Sequence, residues 1–179
     1  MPCVGGNWPL SSERRAAMHV GHAPNLTSEM RVEGLRDAVD FAATMIARNP
    51  LDANARSLRA TALENLSAVL QQLGDGPAAR EAAQNAAECW QSATELKPAD
   101  PRARISAGQA WLEVWRLSRG TEAATQARAQ FAAARAIDAV RDPHSTARLR
   151  ASELAVIDAN LKELEAAASQ PAAPATQPG

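Results

Sequence analysis

Two stretches of this chain carry the same pattern of small, aromatic and aliphatic residues 41 positions apart, and this repeat constrains the fold more than any other feature. The equivalent pairs are Ala82 and Ala123, Ala83 and Ala124, Ala86 and Ala127, Trp90 and Phe131, Ala93 and Ala134, and Leu96 and Ile137. Steps of three and four residues place each set on one face of a helix. A fixed internal period of this kind indicates stacked helical hairpins and favours a binding scaffold.

Composition favours helices and argues against nucleic acid as a partner. Aromatic residues make up 3% of the chain, tyrosine is absent, and the long middle is rich in alanine, which is the strongest helix former. Charged residues make up 22% and the formal net charge is −1, so no basic field is present to attract phosphates. We therefore expect an all-α protein with no nucleic-acid partner.

The sequence also predicts a cytoplasmic protein without a membrane partner. Cys3 and Cys89 do not form the framework of a disulfide-rich domain, so a reducing compartment is expected. No run of 18 or more apolar residues occurs, and the start of the chain lacks the apolar stretch of an export signal.

Local start and stop signals predict six helices between two disordered ends. Asp52 and Asp100 are suited to helix N-caps, whereas Gly74 and Pro98 end helical patterns. The predicted helices cover about 27–48, 53–73, 77–97, 101–118, 121–140 and 145–168. Residues 1–26 are predicted to form a disordered leader, 27–168 the helical repeat domain, and 169–179 a disordered tail rich in proline and alanine.

Residues 53–139 resemble tetratricopeptide repeats. The residues that match the second helix of that family are Ala86, Trp90, Ala93 and Pro98, and those that match its first helix are Leu66, Ser67, Leu70 and Gly74. The family repeats at 34 residues, and the seven extra residues here amount to two helical turns, which lengthen a hairpin without rotating its buried face. The resemblance implies a right-handed stack of antiparallel hairpins, a tetratricopeptide-like α-solenoid, in which Trp90 and Phe131 fill seams lined by alanine. Long alanine-rich repeats of this kind are similar to regulatory regions of bacterial signalling enzymes, including serine/threonine kinases.

The resemblance also implies a groove, lined by the first helices of the hairpins, that binds a peptide or helix of another protein. The implied partner-binding residues are Thr61, Glu64, Ala68, Gln71, Gln72, Arg102, Ile105, Gln109, Leu112, Glu113 and Arg116. Glu64 and Ala68 stand where related repeats grip a terminal carboxylate with basic residues, so a segment of mixed polarity is expected instead. Exposure of Leu112 would support the groove, whereas Leu112 and Trp115 are alternatively explained as core contacts to the sixth helix.

No catalytic, cofactor-binding or metal-binding residues are predicted. His19 and His22 have a spacing compatible with a shared metal, but no carboxylate or second cysteine accompanies them. His144 is interpreted as a turn residue. The chain lacks the motifs of known nucleophiles, zinc proteases and phosphate loops, so we expect a non-catalytic protein.

Two further hypotheses remain at this stage. The spacing of Leu154, Ile157, Leu161 and Leu164 also suits a short coiled coil, which would make the protein a structural homo-oligomer. An enzyme of unfamiliar helical type would instead require a polar pocket with coupled titratable groups.

Overall fold

The computed structural model describes residues 27–142 and 145–169, which form helices joined by turns. The helices are α1 Ser28–Arg48, α2 Ala53–Gln72, α3 Gly76–Leu96, α4 Pro101–Ser118, α5 Thr121–Ala139 and α6 Ala151–Ala168. No strand occurs in the described part of the chain. The all-α prediction is therefore confirmed, while the predicted leader and nearly all of the predicted tail lie outside the described residues.

Side-chain caps explain why three of these helices begin where they do. A carboxylate oxygen of Asp52 accepts hydrogen bonds from two backbone N–H groups of the first turn of α2, and Asp100 does the same for α4. At the start of α1 the hydroxyl of Thr27 accepts a hydrogen bond from the backbone N–H of Met30 at 3.3 Å. Each cap satisfies N–H groups that have no partner within the helix.

The turn between α2 and α3 has the geometry that glycine permits. Gly74 has a φ of 80°, in the left-handed region. The backbone N–H of Gly74 bonds to the carbonyl of Gln71, and that of Asp75 bonds to the carbonyl of Leu70. This pair of bonds is the Schellman arrangement, which satisfies the last carbonyl groups of a helix and reverses the chain.

The predicted start of the sixth helix at residue 145 is wrong, because α6 begins at Ala151. The side chain of Asp138 is 3% exposed, and its carboxylate accepts a hydrogen bond from the backbone N–H of Leu149 at 2.6 Å and another from the Arg148 guanidinium at 3.1 Å. These bonds hold Arg148 and Leu149 in a loop before α6 begins. The backbone N–H of Arg150 then donates to the Glu153 carboxylate at 2.7 Å, which supports the first turn of α6.

Helices α1, α2 and α3 belong to one compact unit, which ends at Leu96, and α4, α5 and α6 belong to a second, which begins at Lys97. The core of the first unit includes a cluster to which all three helices contribute: Val32, Leu35, Leu66, Val69, Leu70, Ala79 and Ala82. Ser67 is also buried there, and its hydroxyl donates to the carbonyl oxygen of Ala79 at 2.8 Å. Small residues and one satisfied hydroxyl let α2 and α3 approach closely.

In the second unit, a glycine and a phenyl ring form the contact between α4 and α5. Phe131 is fully buried, and a Cβ atom added to Gly108 would lie 2.6 Å from its ring. Helix α6 lies against this hairpin and runs antiparallel to α5, since Arg128 of α5 donates to the carbonyl of Leu164 at 2.8 Å and Arg135 pairs with Asp158.

The Gly108 contact predicts that Gly108→Ala destabilises the protein even though alanine is the better helix former. Displacing the Phe131 ring should cost about 1–3 kcal/mol, which exceeds the gain in helix propensity of up to about 1 kcal/mol. Urea denaturation followed by circular dichroism measures the difference. Gly76→Ala is the control, because nothing lies within 4 Å of the added atom. A Gly108→Ala variant as stable as the parent would contradict this contact.

Candidate functional site

Five of the predicted partner-binding residues lie on one face of α2, which we call the α2 stripe: Thr61, Glu64, Ala68, Gln71 and Gln72. Ala68, Gln71 and Gln72 are exposed, whereas Thr61 and Glu64 are half-buried. The Thr61 hydroxyl donates to the carbonyl of Ser57 at 3.0 Å, so it is satisfied within its own helix. The α2 stripe therefore offers a polar, accessible end and a partly recessed carboxyl group.

The half-buried carboxyl group of Glu64 is hydrogen-bonded to Trp90, the aromatic residue of the first repeat. The indole N–H of Trp90, on α3, donates to Oε1 of Glu64 at 3.0 Å. Both side chains are half-buried. Burial raises the pKa of Glu64 to about 7, and the hydrogen bond from Trp90 acts in the opposite direction. Glu64 is thus a carboxyl group that titrates near neutral pH.

This Glu64–Trp90 pair departs from the packing of the second hairpin. One period further along the chain, the same positions hold Ile105 and Phe131, which are 8% and 0% exposed. The first hairpin thus has a hydrogen-bonded polar pair where the second has two buried apolar residues. The repeat pattern predicted that Trp90 lies in an apolar seam, and it did not predict the contact with Glu64. The sequence did contain a signal for this contact, because Glu64 is a glutamate at a position where the second hairpin has Ile105.

The predicted residues on α4 are placed differently from those on α2. We call Arg102, Ile105, Gln109, Leu112, Glu113 and Arg116 the α4 stripe. Of the two explanations left open for Leu112, exposure in the groove is wrong, since its side chain is 1% exposed, and Trp115 is 7% exposed. Gln109 and Arg116 are exposed, and Arg102 and Glu113 are half-buried. The structure thus favours the alternative explanation, in which Leu112 and Trp115 belong to the core.

Two ion pairs join the α4 stripe to α6. Arg102 donates to both carboxylate oxygens of Glu153, at 2.7 and 3.2 Å, and Arg116 donates to both oxygens of Glu163, at 3.0 and 2.7 Å. These hydrogen bonds hold the pKa of each glutamate below its usual value. Exposed pairs contribute little stability, but the forked geometry fixes α6 parallel to α4.

Other reactive side chains offer no assembled site among the described residues. Cys89 is a free, half-buried cysteine, and burial raises the pKa of its thiol. No group of three or more His, Cys, Asp and Glu side chains in residues 27–142 and 145–169 is placed to hold a metal ion. His19, His22 and His144 lie outside the described residues. Within the described ranges, no helix has both the length and the apolar character needed to cross a membrane.

Comparison with models of protein families, with curated proteins and with solved structures finds no match to this chain. The resemblance to tetratricopeptide repeats therefore rests on the sequence motifs quoted above. What the protein does must be inferred from its own surfaces, of which the α2 stripe and the α4 stripe are the two candidates.

Proposed function

We propose that this chain is a non-catalytic protein-interaction scaffold, built from tetratricopeptide-like hairpins, which binds a peptide or helix of another protein along the α2 stripe. The observation that carries the proposal is a difference between two equivalent surfaces. The α4 stripe meets a helix of its own unit, α6, whereas Ala68, Gln71 and Gln72 of the α2 stripe are exposed.

The repeat period makes these surfaces comparable. Moving 41 residues along the chain carries Thr61, Glu64, Ala68, Gln71 and Gln72 to Arg102, Ile105, Gln109, Leu112 and Glu113. In the second unit, Arg102 and Arg116 at the two ends of the α4 stripe form ion pairs with α6, and Ile105 and Leu112 between them are buried. A helix or extended segment of similar character is the partner that the α2 stripe fits.

The packing of α6 supports the repeat interpretation. It runs parallel to α4 and antiparallel to α5, the relation that the first helix of a following hairpin has to the hairpin before it in a helical repeat. Short connections at 73–75 and 119–120 make α2 with α3, and α4 with α5, antiparallel neighbours. Both arrangements are those expected of a solenoid whose concave surface, lined by the first helices of the hairpins, binds other polypeptides.

The alternative of a homo-oligomer that pairs through α6 has less support. Ile157 is fully buried and Leu164 is 1% exposed within the single chain, while Leu154 and Leu161 are half-buried. If these four side chains paired between chains, α6 would first have to leave its own unit, and Ile157 and Leu164 would be exposed to water. We therefore propose a single function.

Site-specific photo-crosslinking in the native cells tests the proposal. A photoreactive amino acid at Ala68, in the α2 stripe, is expected to capture a defined protein, which mass spectrometry identifies. The same amino acid at Asn85, an exposed position of α3, is the control. The proposal predicts a product specific to position 68 that unlabelled protein competes away. Identical products at both positions, or none at position 68, would contradict it.

A further inference from the structure

We propose that the Glu64–Trp90 pair receives a positively charged side chain of the bound polypeptide, with the guanidinium of arginine as the best fit. This inference rests on the proposed function, which it deepens by naming the chemistry that the partner brings to the recessed part of the α2 stripe. It stands on the geometry of the pair, on the lack of a cationic neighbour among residues 27–142 and 145–169, and on the comparison between the two hairpins.

The carboxylate has capacity for a further partner. The indole N–H of Trp90 donates to Oε1 of Glu64. Within the described part of the chain, Oε2 accepts no hydrogen bond and forms no ion pair. A half-buried carboxylate normally has a positively charged or multiply hydrogen-bonded partner. Glu64 has one neutral donor, so its charge is only partly compensated.

The electrostatics of Glu64 agree with this picture. Burial raises its pKa, the Trp90 hydrogen bond lowers it, and no charged side chain of the described residues contributes. A cation bound beside the carboxylate would favour the ionised form and lower the pKa towards its usual range. Binding of a cation and ionisation of Glu64 are therefore linked.

Trp90 adds a second element of recognition. Its N–H edge is fixed by Glu64 at 3.0 Å, so the indole ring and the carboxylate are held side by side, and the ring is only half-buried. A guanidinium can stack on an indole face while it donates to a carboxylate, which lysine does less well. The arrangement offers both contacts to one arginine side chain.

The second hairpin indicates that packing alone does not require this pair. There Ile105 and Phe131 fill the equivalent positions as buried apolar residues. An ionisable group placed where the repeat elsewhere uses isoleucine lowers stability, and such costs are typical of functional sites. Binding of a cationic side chain gives Glu64 that role.

The test uses the full chain with N-acetyl-arginine amide as the probe. The indole N–H resonance of Trp90, assigned by its loss in Trp90→Phe, is followed by NMR at about pH 8, where Glu64 is ionised. We expect a saturable shift of this resonance with the arginine probe and none with N-acetyl-citrulline amide, a neutral molecule of nearly the same shape. Lowering the pH to about 5 should weaken binding.

Glu64→Gln separates the charge from the hydrogen bond, because glutamine keeps an acceptor for the Trp90 N–H. We expect the arginine probe to bind this variant at least about tenfold more weakly, since a charged hydrogen-bond partner is lost. Glu81→Gln, at an exposed position of α3, is expected to bind like the parent. Equal shifts with arginine and citrulline, unchanged binding to Glu64→Gln, or no saturable shift in the parent would each overturn the inference.

The two proposals fail separately. A specific crosslink from position 68 without binding of the arginine probe would leave the scaffold in place and remove the inference. Binding of the probe without any specific crosslink would contradict the proposed function instead.

Discussion

Replacing Phe131 by alanine is expected to lower the free energy of unfolding by about 3–5 kcal/mol, the usual range for removing a fully buried aromatic ring. The ring is 0% exposed and lies directly against Gly108. Because Gly108 has no side chain, no neighbour at that position can move into the space that the ring leaves. Urea denaturation followed by circular dichroism measures the loss.

Two further variants test whether the loss of stability follows the volume removed and the burial of the aromatic ring. Phe131→Leu keeps part of the volume and should cost less than Phe131→Ala. Trp90→Ala, at the equivalent position of the first hairpin, should cost less as well, because Trp90 is half-buried. A loss for Trp90→Ala equal to or larger than that for Phe131→Ala would contradict the different burial of the two rings.

Replacing Glu64 by glutamine is expected to stabilise the protein by roughly 2–3 kcal/mol at about pH 8. Burial raises the pKa of this carboxyl group from its ordinary value of 4.5 to about 7 in the folded protein. Above pH 7 the folded state must therefore hold a poorly solvated charge that the unfolded chain hydrates freely. Glutamine removes the charge and keeps an acceptor for the Trp90 N–H.

The same pKa shift fixes the direction of the pH dependence. The stability that Glu64 contributes is fully present below pH 4.5, where the group is protonated in both states, and it is lost as the pH rises through about 7. Denaturation curves from pH 4 to pH 8 should show this decline in the parent and not in Glu64→Gln. Glu81→Gln, at an exposed position, should keep the parent's decline. A decline of equal size in Glu64→Gln would contradict the buried ionisation.

The helices could be predicted well from the sequence because their determinants are local. Asp52 and Asp100 cap the helices that follow them, and Gly74 ends α2, as their positions in the sequence indicated. The full burial of Phe131 likewise agrees with the repeat pattern. Caps, glycines and the spacing of apolar residues act within a few positions, so one sequence is enough to interpret them.

The candidate site could be predicted only in part because it depends on contacts between distant residues. The hydrogen bond from Trp90 to Glu64 joins two helices, and the pattern that placed Trp90 in a seam says nothing about its partner. The late start of α6 depends on Asp138, whose carboxylate binds a backbone N–H eleven residues later. The sequence left open whether Leu112 lines the groove or belongs to the core; in the structure it is buried, on α4, the helix that α6 is paired with.

The claim that the α2 stripe binds another polypeptide is tested most directly by the affinity of the purified partner captured at position 68. Isothermal titration calorimetry would compare the parent with Ala68→Trp, which adds a bulky ring to the α2 stripe, and with Asn85→Trp, which adds the same ring to the exposed side of α3. We predict that Ala68→Trp weakens binding at least about tenfold, because a close-packed interface tolerates added volume poorly, and that Asn85→Trp leaves it unchanged. Equal affinities for all three proteins would contradict the account.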